Sequence, residues 1–208
     1  MMPKRTKSSA RWLAEHFSDT YVKRAQQAGW RSRSVFKLEE VQRRDHLIKP
    51  GMTIVDLGAA PGGWSQYTAK ILAGRGSVVA VDILPMEPLA GVEIVQGDFT
   101  QEPVLERLNH RLAGHPVDLV LSDMAPNISG DDAIDQPRVM YLAELALKFA
   151  RPLLGPHGTL LVKVFQGTGF VAYLQELRAS FRDVATRKPN ASRARSRELY
   201  LLAKHRRV

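Results

Sequence analysis

Four charged side chains stand where apolar residues would be expected, and together they could move a proton. Lys163 sits in the middle of GTLLVKVFQG, a stretch otherwise built from Leu, Val and Phe. Desolvating an ammonium in such a strand is costly unless a partner offsets it. Asp123 ends the apolar run VDLVLSDM, Lys37 lies between Phe36 and Leu38, and Glu198 opens ELYLLAK. A lysine with the ordinary pKa of about 10.4 is almost wholly protonated at neutral pH. Burial and a second cation push that value down, and a neighbouring carboxylate pushes it back up. Two lysines and two carboxylates held close together therefore suit one of two tasks. Lys163, depressed by burial and by Lys37, takes a proton from a weak nucleophile, or it stays protonated and steers that nucleophile. Taken singly, Lys37 and Glu198 read equally well as halves of a salt bridge at a sheet edge.

A second constellation reads as a ligand cleft. The first apolar run ends in DLGAAPGGWS (56–65), whose small residues let the backbone pass close to a ligand where the next helix begins. A pyrophosphate-binding loop would show G-x-G-x-x-G, which GAAPGG does not match. Asp56 at the strand end instead favours a ligand with a cationic portion, such as an ammonium or sulfonium. Asp82 follows 26 residues later, placed to accept hydrogen bonds from ribose hydroxyls, and Asp98 in QGDF could accept from an adenine amino group. A lone aspartate at a strand end is more often a turn former. Three in succession beside a Gly-rich loop read as an S-adenosylmethionine pocket.

The elements that must position these residues alternate along the chain. SRSVFKLEEVQRRD spaces Val35, Phe36, Leu38 and Val41 as a short amphipathic helix that stops before Pro50-Gly51. Strand-like runs at 53–58, 77–83, 92–98, 117–124 and 159–165 interleave with helical stretches at 64–73, 104–113, near Pro137–Arg151 and at 170–181. Two last strands, 183–188 and 198–204, lack a helix between them and should pair antiparallel. Strands apolar on both faces and interleaved with helices imply a parallel sheet covered on both sides. In such a sheet a last strand running antiparallel begins where the parallel strands end, so Glu198 would face Asp123 and Lys163. The expected organisation is a basic N-terminal arm over 1–30, its first dozen residues flexible, followed by one α/β domain over 31–208.

Composition narrows the function classes. The 208 residues carry 30 Lys and Arg against 21 Asp and Glu. Residues 1–50 and 182–208 each hold a net +7, which leaves the middle acidic. Basic ends around an acidic centre suit a polyanion gripped by the flanks of the domain. Cysteine is absent, which excludes disulfides, thiolate metal sites and a cysteine nucleophile. No apolar run is long enough to span a bilayer and no signal peptide opens the chain, so a cytoplasmic monomer with no membrane partner is expected.

DLGAAPGGWSQY, SDMAPNISG, LVKVFQG and SRARSRELY, occurring in this order, resemble the FtsJ-type (heat-shock) ribosomal RNA 2′-O-methyltransferases, the RlmE group of bacteria. The likeness runs over essentially the whole chain and includes RSRSVFKLEE. It implies a Rossmann-like S-adenosylmethionine-dependent fold with seven strands, mostly parallel, the last antiparallel. It places cofactor contacts on Gly62, Trp64, Asp82, Asp98 and Asp123, and a Lys-Asp-Lys-Glu catalytic tetrad on Lys37, Asp123, Lys163 and Glu198. It further implies a uridine in the A loop of 23S ribosomal RNA, modified in the 50S subunit.

Absences in the sequence agree with a ribose acceptor. Pyrimidine C5 methylation generally proceeds through a cysteine adduct, and DMAP (123–126) lacks the second proline and the aromatic residue common to exocyclic amine methylation. A 2′-hydroxyl target means RNA and not DNA. KRTKSSARW, YVKRAQQAGWRSRS and RKPNASRARSRE offer cations for phosphates, and Trp12, Tyr21 and Trp30 serve either as stacking faces or as packing under the arm. A transfer RNA ribose methylase and a 50S assembly factor with incidental methylation are the competing readings.

Overall fold

The computed structural model describes residues 19–193 and 196–207. Most of the basic arm, with Trp12, and the central Ala194-Arg195 of SRARSRE therefore lie outside the described residues. The first described element is a helix that the sequence reading does not assign, α1 (Thr20–Gln27), whose buried residues Val22 and Ala25 share one face. Asp19 starts it, its carboxylate accepting from the Tyr21 amide at 2.9 Å. Next comes α2 (Val35–Asp45), which ends where His46 turns into a left-handed conformation and Gln42 bonds both backbone groups of Ile48.

Strands and helices then alternate as β1 (Thr53–Leu57), α3 (Gly63–Leu72), β2 (Ser77–Asp82), β3 (Glu93–Gln96), α4 (Glu102–Leu112), β4 (Val117–Ser122), α5 (Asp132–Leu153), β5 (Leu154–Phe165), α6 (Phe170–Ser180), β6 (Phe181–Arg187) and β7 (Glu198–Arg206). The strands form one sheet in the order β3-β2-β1-β4-β5-β7-β6. Six run in one direction, and β7 runs antiparallel to both of its neighbours. The last two strands do pair antiparallel, but β7 slots inside β6, which becomes the edge.

Two boundaries differ from the sequence reading for local reasons. Helix α5 begins a turn before Pro137 because Asp131 caps it, accepting from the Ala133 amide at 2.9 Å. Strand β5 begins at Leu154, which pairs with Val117 across an irregularity before the regular ladder resumes at Thr159.

Residue parity along the strands sorts the core into two layers. Val55, Leu57, Leu160, Val162, Val164 and Leu201 face one side, under α4, α5 and α6. Ile54, Leu161, Tyr200 and Leu202 face the other, under Leu38 and Val41 of α2 and Trp64 and Leu72 of α3. Each such large side chain contributes about 1.5–3 kcal/mol when fully buried. Side chains two residues apart on a strand share a face. Asp56 and Lys163 therefore belong to the α2–α3 side, the layer that carries Lys37.

The order of strands reverses between β1 and β4, and open α/β sheets bind ligands beyond the strand ends at such a point. There Gly58 has φ 72° and no room for a side chain, since a Cβ would lie 2.5 Å from Met124 Cγ in the loop after β4. Across the rear of the site, α2 is tied to β6 by a two-point ion pair in which Arg187 donates to Asp45 at 2.7 and 2.6 Å. That guanidinium holds the Asp45 carboxyl below its ordinary value.

Candidate active site

Lys163 is held by one residue at two points. Its Nζ donates to the backbone carbonyl of Asp123 at 2.5 Å and to Asp123 Oδ1 at 3.1 Å. The ladder places Tyr200 opposite Lys163, and the Tyr200 hydroxyl donates to the same Asp123 Oδ1 at 2.6 Å. Lys37 reaches down from the first turn of α2 to pair with Glu198 Oε1 at 2.7 Å, its ammonium 5.8 Å from the centre of the Tyr200 ring. All four residues of the expected tetrad thus converge. They form two ion pairs bridged by Tyr200, not one cluster of equal contacts. Lys37 and Lys163 each have a carboxylate of their own.

Burial makes these pairs consequential. Lys163 is 7% exposed, Lys37 8% and Glu198 9%. Burial pushes the Asp123 carboxyl up, but the Lys163 and Lys37 cations and the hydrogen bonds from Tyr200 and Lys163 outweigh it, so its pKa lies below the ordinary value. Burial beside Asp123 and Glu198 raises the Tyr200 phenol well above its ordinary value, so it stays a donor.

Glu198 is braced from the loop between β6 and β7. Ser192 Oγ donates to Glu198 Oε1 at 2.8 Å, and the Lys188 ammonium donates to the carbonyls of Ser196 and Glu198, each at 2.6 Å. Glu40 of α2 accepts the amides of Asn190 and Ala191 at 2.7 and 2.9 Å, fixing that loop to the helix that carries Lys37.

The loops after β1 and β2 leave the sheet at the same end as Asp123 and Glu198. Asp82 cross-links them, accepting the Ala60 amide on one oxygen and the Leu84 amide on the other, both at 2.8 Å. Each oxygen keeps a second lone pair for an outside donor. Asp98 Oδ1 accepts both the amide and the hydroxyl of Thr100, so it is a turn former as well as a candidate ligand contact. Gly62 opens α3 with φ 106°, pressed by Arg31 and Met86. Trp64 is 3% exposed, its indole nitrogen donating to the Ser34 carbonyl at 2.8 Å and its ring 5.7 Å from that of Tyr200. Trp64 thereby joins the start of α3 to the entry of α2 and to β7.

Asp56, inferred from sequence only as a favourable charge, proves to be an unusual group. It is 1% exposed, Ser65 donates to one oxygen at 2.6 Å, and the other oxygen has no partner among the described residues. Burial first, with the charges of Asp123 and Asp82 added, pushes its pKa up to about 7. Between an unfolded value near 3.8 and that folded value, the native chain holds a proton that the unfolded chain has released. Stability therefore falls as pH rises through this window. Urea unfolding of Asp56→Asn is expected to show a gain over the parent above about pH 7 that vanishes near pH 4. A difference between the two proteins that does not change with pH would refute the assignment.

Two arginines of RSRS, expected to meet phosphates, are committed inside the chain. Arg31 donates to three loop carbonyls, and Arg33 donates to the Ala191 carbonyl at 2.6 Å while pairing with Asp19. Tyr21 packs against Phe36 and Trp30 against Tyr67, and both rings stay half-buried.

Sequence reasoning missed Tyr200, Ser192 and Glu40, and read Lys188 and Arg31 only as cations for phosphates. Strand parity alone would have offered Tyr200, two residues from Glu198 and so on the same face. The others act through loop geometry that carries no sequence period.

Comparison with known proteins agrees with this fold. A family model described as FtsJ-like methyltransferase matches residues 30–206. Among solved structures, one described as a ribosomal RNA methyltransferase from Plasmodium falciparum is 26% identical. It covers 85% of this chain and 98% of its own, with a TM-score of 0.77. The human methyltransferase-like protein 13, solved in complex with SAH, is 14% identical and shares the fold. That match covers 82% of this chain and 79% of the other, with a TM-score of 0.56.

Proposed function

The chain belongs to the FtsJ-like methyltransferase family, and we propose that it methylates the 2′-hydroxyl of a ribose in ribosomal RNA. S-adenosylmethionine is the methyl donor. Bound, it supplies an electrophilic methyl group on a sulfonium. The cleft suits that ligand because Asp56 keeps a buried, unpartnered oxygen in a region already crowded with carboxylates, where a cation would be welcome. Asp82 would accept the ribose hydroxyls and Asp98 the adenine amino group, with Gly62 and Trp64 shaping the wall and Asp123 at the methyl end.

The observation that carries the proposal is the double hold of Asp123 on Lys163. A ribose hydroxyl is a weak nucleophile that must lose its proton as it attacks. Two of the bonding positions on the Lys163 nitrogen are fixed by Asp123, which leaves one for the acceptor hydroxyl. As a neutral amine that position is a lone pair, and Lys163 takes the proton there. Lys37 and Glu198 position the hydroxyl from the far side of Tyr200. The protein-fixed geometry contributes through orientation as much as through proton transfer.

The finer target is a uridine in the A loop of 23S ribosomal RNA, met in the 50S subunit by a monomer. Its support is the motif resemblance together with the basic ends of the chain. Incubating the protein and labelled methyl donor with naked ribosomal RNA, transfer RNA and undermethylated 50S subunits tests it. Label on the 50S subunit is expected to exceed label on either naked RNA. Label confined to transfer RNA would overturn the substrate, and a growth defect rescued equally by Lys163→Ala would support an assembly factor instead.

A further inference from the structure

We infer that Arg31 is a positioning residue for the methyl-donor cleft, clamping the two cofactor loops to each other and to the segment that leads into the Lys37 helix. The inference rests on the methyl-donor reading of that cleft. Arg31 Nη1 donates to the carbonyls of Glu87 at 2.8 Å and Pro61 at 3.4 Å, and Nη2 donates to the carbonyl of Pro88 at 2.7 Å. Pro61 belongs to the loop after β1, and Glu87 and Pro88 to the loop after β2. Asp82 ties the same two loops through their amides. The cleft wall is thus closed by an anion on N–H groups at one place and a cation on C=O groups at another.

The clamp extends toward the acceptor side. The Arg31 amide donates to Gln66 Oε1 at 3.0 Å, and Gln66 returns a hydrogen bond to the Gly29 carbonyl at 2.9 Å. Residues 31–34 consequently lie along the first turn of α3. Ser32 Oγ would sit 2.2 Å from a Cβ at Gly63, and the Ser34 carbonyl receives the Trp64 indole. Val35 follows at once as the first residue of α2, and Lys37 is in the same turn. The residue that fixes the donor loops therefore also fixes the entry to the helix that presents Lys37.

A guanidinium is required here because it donates from a rigid planar fork to acceptors on separate segments, which a point-like ammonium cannot reproduce. Arg31→Lys and Arg31→Ala are each expected to weaken SAH binding at least about tenfold by calorimetry, since hydrogen bonds from a charged donor are among the stronger ones. KM for the methyl donor should rise in parallel, while kcat at saturating donor and the affinity for 50S subunits without donor stay within about threefold. Unchanged SAH affinity would overturn the inference. So would an equal fall in RNA affinity, which would make Arg31 a phosphate contact. Should Arg31→Ala fail to fold, Arg31→Gln keeps a polar side chain two bonds too short to reach the three carbonyls, and SAH affinity equal to the parent's in that variant would equally overturn it. A parent protein that binds no SAH at all would instead sink the methyl-donor reading itself.

Discussion

Lys163→Ala is expected to lower the rate of methyl transfer by about 10²–10⁴-fold, the range for losing a positioned proton acceptor, while SAH affinity changes little. The separation follows from where the side chain lies. Lys163 touches Asp123 and faces Tyr200 across the ladder, whereas the cleft wall is built by Asp82, the loop after β1 and the loop after β2. Lys163→Arg distinguishes the two roles of the nitrogen. Arginine keeps a cation and donors but does not lose its proton in proteins. If Lys163 takes the proton, the parent's rate climbs with pH on a limb that is missing from the arginine variant. A limb retained in Lys163→Arg would assign the proton transfer elsewhere and leave Lys163 with steering alone. Full activity in Lys163→Ala would remove it from the reaction.

Asp123→Ala has the second largest expected effect, and it acts on stability as well as on rate. The carboxylate accepts from Lys163 and Tyr200, both buried, and without it the Lys163 ammonium keeps only the backbone carbonyl of residue 123, which carries no charge. Removing one member of a buried pair leaves the other charge uncompensated, at about 3–5 kcal/mol. Because the folded Asp123 carboxyl lies below its ordinary value, this stabilisation is complete above the unfolded value near 3.8. It is lost as pH falls through the lower folded value. Urea unfolding near neutral pH should therefore show the full loss, and unfolding under strongly acid conditions a much smaller one. Asp123→Asn combined with Lys163→Met, which removes both charges at once, should recover most of the stability and none of the activity. Recovery of activity in that double variant would contradict the assigned roles.

Much of this architecture could be read in the chain because burial on both faces leaves a strong signal. The runs TIVDL, SVVAVD and VDLVLS are apolar almost throughout, and the sheet buries them at its centre. The tetrad was legible for the complementary reason. A lysine inside VKVF or between Phe36 and Leu38 is expensive to bury, and such residues occur where a partner exists. Other features were invisible for equally physical reasons. Helix α1 is only eight residues long and mostly polar, and it is held by packing of Ala25 and Tyr21 against Phe36 and its neighbours, a tertiary effect. The position of β7 between β5 and β6 depends on which strand finds which edge. Sequence order suggested only that β6 and β7 would pair. The arginines of RSRS illustrate a subtler limit. Their charge pointed to phosphates, yet the structure surrounds Arg31 and Arg33 with carbonyl groups of the chain itself. Charge counts report how many cations exist and not which of them already have acceptors.

The central claim is that the Lys163–Asp123 pair directs a methyl group to a ribose oxygen, and the chemical position of the transferred methyl tests it most directly. Undermethylated 50S subunits treated with the protein and labelled donor, digested to nucleosides and resolved by mass spectrometry, should yield label in a 2′-O-methylnucleoside. The same digestion after treatment with Lys163→Ala should yield almost none. Label on a base, or an undiminished yield from Lys163→Ala, would contradict the account.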